Sequence, residues 1–126
     1  MPGRLSAPPK GEYIIHCPSC RRLFSLELTA GSNYWQCPRC GVSATLLLAT
    51  VRAKRGKKES ALWRKYSIRY IDSSGESLLQ FRSKRLEDIE LRSRDVMIVV
   101  FRGYSKKPQG IYNCTIGEYY PMKPHV

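Results

Sequence analysis

Four of the five cysteines stand in two matching frames, Cys17-Pro18-Ser19-Cys20 and Cys37-Pro38-Arg39-Cys40, with sixteen residues between Cys20 and Cys37. A C-x-x-C turn puts two sulfurs on one side of an ion, and its backbone amides can hydrogen-bond those sulfurs. Two such turns joined by a hairpin supply the four thiolates of a tetrahedral Zn²⁺ site, at about 2.3 Å per sulfur. Four thiolates complete the shell and leave no position for water or substrate, so the single Zn²⁺ this reading expects is structural. An iron centre of rubredoxin type would use the same ligands. Two disulfides would require an oxidising compartment, and a redox C-x-x-C belongs in a βαβ context that this chain lacks. His16 adjoins Cys17, but with four sulfurs present it reads as a neighbour rather than a ligand. Cys114 reads as a small buried hydrophobe and His125 as solvated.

The two Cys-Pro-x-Cys turns, the alternating Phe24, Leu26 and Leu28 between them, and Gly41 after the last cysteine resemble the zinc-ribbon family. Arg21 follows Cys20 where that family commonly has glycine, which should strain the first turn slightly without abolishing metal binding. The ribbon is expected over residues 12–43, behind a flexible tail at 1–11 that holds three prolines and two glycines. Within it, Phe24–Leu28 reads as a strand, Ala30-Gly31-Ser32-Asn33 as a turn and Tyr34-Trp35-Gln36 as the returning strand. No internal repeat is expected.

Beyond Gly41 the pattern predicts five β segments over residues 44–120, with a short tail at 121–126. Ala44–Lys54 turns from apolar to basic, and Arg52–Lys58 reads as a solvated loop. Leu62–Asp72 alternates, with Leu62, Tyr66, Ile68 and Tyr70 on one face and Trp63, Lys65, Ser67, Arg69 and Ile71 on the other. Asp72–Glu76 is hairpin-turn chemistry. Ser77–Ser83 is its partner strand, with Leu79 and Phe81 facing opposite to Leu78, Gln80 and Arg82. Leu86, Ile89 and Glu90 suit a short helical turn. Val96–Arg102 is a β-branched run fit for a buried strand, Lys106–Gly110 a turn and Ile111–Ile116 the last strand. The fold class is therefore all-β: a zinc ribbon plus a small five-stranded barrel.

The long first hairpin, the Asp72–Glu76 turn and Arg94-Asp95 leading into Val96–Phe101 make residues 42–118 resemble the OB-fold. Arg94 stands where OB-folds often have glycine, and an SH3-like barrel has a similar strand count. In OB-folds the outer surface of the second and third strands, flanked by the first and fourth loops, is a common oligonucleotide platform. The resemblance places Trp63, Lys65, Arg69, Gln80 and Arg82 on that surface. Arg52, Lys54, Arg55, Lys57 and Lys58 fall in its first loop, and Lys106 and Lys107 in its fourth. The same domain order resembles an accessory family found with acyl-CoA enzymes, which joins a rubredoxin-like ribbon with a usually shorter loop to an OB-fold.

Charge points the same way. Net charge is +12, and the excess is uneven: five Lys/Arg against two acids in residues 1–43, seventeen against eight in residues 44–126. Such a field concentrates anionic partners, nucleic acid first. Cations release counterions from phosphates, and an exposed Trp63 could stack on a base. The expected function is thus a non-catalytic metal protein that binds single-stranded DNA or RNA. The alternative is an adaptor or accessory subunit whose ribbon docks on a larger assembly. No enzyme is expected: the two histidines and Cys114 form no acid, base and nucleophile set, and Glu87, Asp88 and Glu90 beside Arg85, Arg92 and Arg94 read as a surface ion-pair face. The longest apolar runs, Leu46–Ala49 and Val96–Phe101, are far below a membrane span. No segment resembles a signal peptide, so a cytoplasmic location and no membrane partner are expected.

Overall fold

Alternation of apolar and polar residues recurs through the chain, and the computed structural model, which describes residues 5–84 and 87–122, turns it into nine antiparallel strands with no helix among those residues. The strands are β1 (Gly11–His16), β2 (Leu23–Leu28), β3 (Gly31–Gln36), β4 (Ser43–Lys58), β5 (Arg64–Asp72), β6 (Gly75–Ser83), β7 (Val96–Arg102), β8 (Pro108–Asn113) and β9 (Glu118–Pro121). β1 and β2 form a two-stranded sheet, and the remaining seven form one sheet in the order β6-β5-β4-β7-β8-β9, with β3 on β4 off that path.

β4 organises the molecule. Its first half pairs β3 on one side and β7 on the other, and its second half pairs β5. Both faces of its first half are buried, as its near-continuous apolar run requires. Leu47, Ala49 and Val51 join Tyr66, Ile68, Phe81, Met97, Val99, Ile111 and Tyr120 in one core. Ala44, Leu46 and Leu48 turn the other way and meet Ile15, Leu28, Ile98 and Val100 in a second core under the ribbon. Phe81 of β6 and Tyr120 of β9 share the first core although they lie at opposite ends of the strand order, so the sheet curls around it. It does not close. No ladder among the described residues joins β6 to β9, so of the closed or partly open barrel expected from the sequence the closed form is absent; Ser83 Oγ donating to the Met122 carbonyl at 3.0 Å bridges the gap instead.

Three further expectations are corrected. β2 and β3 do not form a hairpin with each other; each pairs outward, β2 with β1 and β3 with β4. The reason is a repeat. Residues 11–28 and 31–48 align at an offset of twenty, matching Gly11 with Gly31, Cys17 with Cys37, Pro18 with Pro38, Cys20 with Cys40, Leu26 with Leu46 and Leu28 with Leu48. Each copy folds on itself in the same register, Gly11 opposite Leu28 and Gly31 opposite Leu48. Finally, Arg52–Lys58 is not a loop but the end of β4, paired with β5 after a bulge between Val51 and Ala53.

Ile89 and Glu90 lie in an irregular stretch rather than a helical turn, with Leu86 outside the described residues. That stretch is tied down by Asn113, which is fully buried: its amide donates to the Glu90 carbonyl at 3.0 Å and the Asp95 carboxylate at 2.8 Å, and its carbonyl accepts from the Thr115 amide at 3.0 Å. Arg94 adopts φ +79°, so the position where OB-folds often carry glycine does take the left-handed conformation, and an arginine bears it.

Candidate metal centre and cationic face

Each C-x-x-C turn sits between the two strands of its own repeat, which fixes where its sulfurs point. In the first, Cys17 N donates to the Arg22 carbonyl at 2.9 Å and Arg21 N to the Cys17 carbonyl at 3.0 Å; in the second, Cys37 N donates to Val42 at 2.9 Å and Gly41 N to Cys37 at 2.9 Å. Closing this knuckle needs a left-handed residue just after the second cysteine. Arg21 has φ +63° and Gly41 φ +79°. The two knuckles face each other, braced by Phe24 and Trp35, whose rings meet edge-on with centroids 5.1 Å apart.

The four sulfurs converge. Cys17 Sγ lies 3.5 Å from Cys40 Sγ and Cys20 Sγ 3.7 Å from Cys37 Sγ, and all four are within 4.8 Å of one another. A tetrahedron with metal–sulfur bonds near 2.3 Å has edges of about 3.8 Å, so the cluster matches the donor set of a metal ion. Its four cysteines are free thiols rather than disulfides. Burial pushes the Cys17 thiol up to about 11 despite amide hydrogen bonds from Cys20 and Ser19. At Cys37 burial acts in the same direction but is outweighed by the amides of Cys40 and Arg39, and the thiol falls to about 6. A cation at the centre would take the place of the proton at buried Cys17. His16 is no fifth donor: its backbone N–H donates to the Tyr112 hydroxyl at 2.8 Å, its Nδ1 pairs with the same hydroxyl, and its ring meets Tyr119 edge-on at 4.5 Å. Cys114 is half-buried against the ribbon core, where burial raises its thiol to about 11.

The remaining candidates fall into separate groups. Beyond the bulge, register and pleat put Ala53, Arg55 and Lys57 of β4, Lys65, Ser67 and Arg69 of β5, and Leu78, Gln80 and Arg82 of β6 on one outer face. Three transverse rows result: Lys57–Lys65–Arg82, Arg55–Ser67–Gln80 and Ala53–Arg69–Leu78. None of the nine positions is acidic. Gln80 Nε2 donates to Ser67 Oγ at 3.3 Å.

Other cations are already engaged. Lys54 turns inward, 14% exposed, with Nζ 2.9 Å from Asp88 and a further bond to the Ile89 carbonyl. Asp88 also accepts from the Tyr66 hydroxyl at 3.0 Å. Burial pushes the Asp88 carboxyl upward, but the Lys54 and Tyr66 bonds outweigh it and hold the group below its ordinary 3.8. The acids at 87–90 therefore do not form only a surface face with the arginines beside them. Arg52 pairs with Glu76 at 3.0 Å, and Arg82 with Glu59 at 2.7 Å. Trp63 is half-buried away from the ribbon. The Arg82 guanidinium and the Lys84 ammonium each lie 4.9 Å from its ring centroid.

Lys106 and Lys107 lie elsewhere. β7 runs antiparallel to β4, and Gly103 N donates to the Ser43 carbonyl at 2.8 Å, which ties the following loop to the start of β4. Ala53 is ten residues further on, on the order of 30 Å along an extended strand. The two loops expected to flank one platform are at opposite ends of β4.

The chain matches no family model, no curated protein and no solved structure. Geometry alone carries the functional argument.

Two features were missed from the sequence. The twenty-residue repeat was visible in the matched Gly, Cys-Pro-x-Cys and Leu-x-Leu positions. Tyr34 and Tyr104, 74% and 91% exposed with ring centroids 6.2 Å apart, carried no signal, because β3 and the loop after β7 meet only through their separate pairings with β4.

Proposed function

We propose that this protein is a non-catalytic zinc protein that binds single-stranded nucleic acid across the outer face of β4, β5 and β6. The observation that carries the reading is the row Lys57–Lys65–Arg82, three cations directly opposite one another on adjacent strands, of which Arg82 is paired with Glu59 while Lys57 and Lys65 face each other without an acid between them. Such opposition destabilises a sheet. Arg55 and Arg69 flank the row, and among the described residues Arg55, Lys57, Lys65 and Arg69 have no acidic partner. A sheet face that keeps unneutralised cations at the pleat spacing suits a string of phosphates, which relieves the repulsion and releases counterions. The five strands β4 to β8 support an open OB-like reading, because a long first strand pairs both the second and the fourth; an SH3-like arrangement is the other candidate. Four thiolates favour zinc, with iron distinguished by its visible absorption.

The role of Trp63 changes under this reading. With Arg82 and Lys84 over its ring, it positions cations rather than offering a bare stacking face.

The test is fluorescence anisotropy with labelled single-stranded DNA and RNA at two salt concentrations. Binding should weaken steeply with salt, and Lys65→Ala with Arg69→Ala should lower both affinity and the salt slope by about two phosphate contacts. Absence of binding to every oligonucleotide at low salt removes the proposal. The adaptor reading would then rest on Ile14 and Leu23, exposed at 66% and 73% on one side of the β1–β2 sheet.

A further inference from the structure

At the other end of β4, a cleft of about 300 Å³ opens beside the second knuckle. Tyr34, Trp35, Ala44 and Tyr104 line it together with polar Gln36 and Ser43. The two tyrosine rings are tilted by 53° to each other, and Tyr104 is the most exposed large hydrophobic side chain among the described residues at 91%. Two exposed rings side by side next to a cleft make a small aromatic surface patch of the kind that serves binding. Exposed cations lie close to it along the chain. Exposed Arg102 precedes the loop, Lys106 and Lys107 follow Tyr104 by two and three residues, and Arg39 projects from the second knuckle. No acidic residue occurs between Arg102 and Gln109 or between Gly31 and Lys58.

Exposed π-faces, a cleft with polar lining and cations in the adjoining loop are the parts of a base-stacking site. A peptide would use the rings but has no general need of the cations; a free phosphate would use the cations but not the rings. We propose that Tyr34 and Tyr104 hold an unpaired base of a single strand, one ring stacking on its face and the other meeting its edge, while Lys106 and Lys107 take the adjoining phosphates. This rests on the nucleic-acid reading above and adds to it a second contact region, distinct from the cationic face and supplying the aromatic component that Trp63 cannot. The division of labour follows: the β4–β6 face neutralises phosphates, and the tyrosine cleft holds a base. A strand long enough to reach both should bind more tightly than one that reaches either alone.

Labelled oligothymidylates of increasing length, titrated by anisotropy against the metal-loaded full chain, test the inference. Tyr104→Ala and Tyr34→Ala should each weaken binding by roughly 5- to 150-fold, the range for loss of one base–aromatic stack. Because a tyrosine releases no counterion, the salt slope should stay unchanged. Tyr104→Phe, which keeps the ring, should bind like the parent chain. Both residues are exposed, and unchanged thermal melting of each variant checks that the fold is intact. If the Tyr34→Ala/Tyr104→Ala variant binds like the parent while Lys65→Ala/Arg69→Ala is weakened, the cleft proposal is overturned and the cationic-face reading survives. If the parent binds no oligonucleotide of any length, both fall together.

Discussion

The two copies of the ribbon repeat share a backbone and a frame of matched cysteines and leucines, and differ in what their strands are joined to. Residues 11–28 and 31–48 form hairpins of the same register around knuckles with the same hydrogen bonds. The second strand of the first copy, β2, ends at Leu28 and pairs only with β1; the second strand of the other copy is β4, which runs on for ten more residues and is also paired along its first half with β7. The first copy therefore leans on the molecule through Ile15 and Leu28 in the ribbon core and through its two cysteines. The second copy is part of the main sheet. One local code gives one local shape, and the stability of that shape is decided by what its strands are continuous with.

That contrast can be broken most severely at the metal. Cys37→Ser or Cys17→Ser removes one of four thiolates and should abolish tight metal binding, since structural sites of this kind supply on the order of 10 kcal/mol of folding free energy. The comparison predicts unequal damage to the two copies in either variant: near-complete loss of amide protection in β1 and β2, and retention in β4, read by hydrogen exchange. Next in size is the packing of equivalent leucines. Leu28→Ala and Leu48→Ala should each cost about 2–5 kcal/mol. Leu48, buried between β3 and β7, should lower the melting temperature of the whole sheet, while Leu28 should chiefly release the β1–β2 sheet. The smallest effect is at the knuckle. Gly41→Ala imposes a side chain on φ +79° and should destabilise by roughly 1–2 kcal/mol, whereas Arg21→Gly relieves φ +63° and should stabilise by about 1 kcal/mol. Chemical denaturation of the metal-loaded chain measures both. Equal signs would show that the two knuckles are not equivalent.

Much of this was legible before any coordinates. The cysteine spacing pointed to one four-thiolate cluster, because C-x-x-C is a local geometry that needs no tertiary information. The two-residue alternation placed Tyr66, Ile68 and Phe81 inward and Lys65, Arg69, Gln80 and Arg82 outward, which is where they lie. Strand pairing was less legible. A hairpin between Phe24–Leu28 and Tyr34–Gln36 is the obvious local choice, and it loses because Leu46 and Leu48 offer β3 a better partner. The basic run 52–58 resembled a loop because charge alone does not distinguish a solvated loop from a strand with one wet face; the bulge after Val51, which turns Lys54 toward Asp88, has no sequence signature. The failure of the two expected loops to meet has the same origin. Their separation depends on the length of β4, and the sequence reading ended that strand at Lys54 and placed both loops by family resemblance.

The four thiolates join two copies of a single hairpin, and only one of those copies is also hydrogen-bonded as strands into the main sheet. Elemental analysis combined with hydrogen exchange before and after chelation tests this join most directly. One ion per chain is expected, and on its removal a loss of protection confined to Gly11–His16 and Leu23–Leu28 while the amides linking β4 to β7 stay protected. A chain with no stoichiometric metal, or one whose β1–β2 amides are as slow without the ion as with it, would show that no metal holds the two copies together.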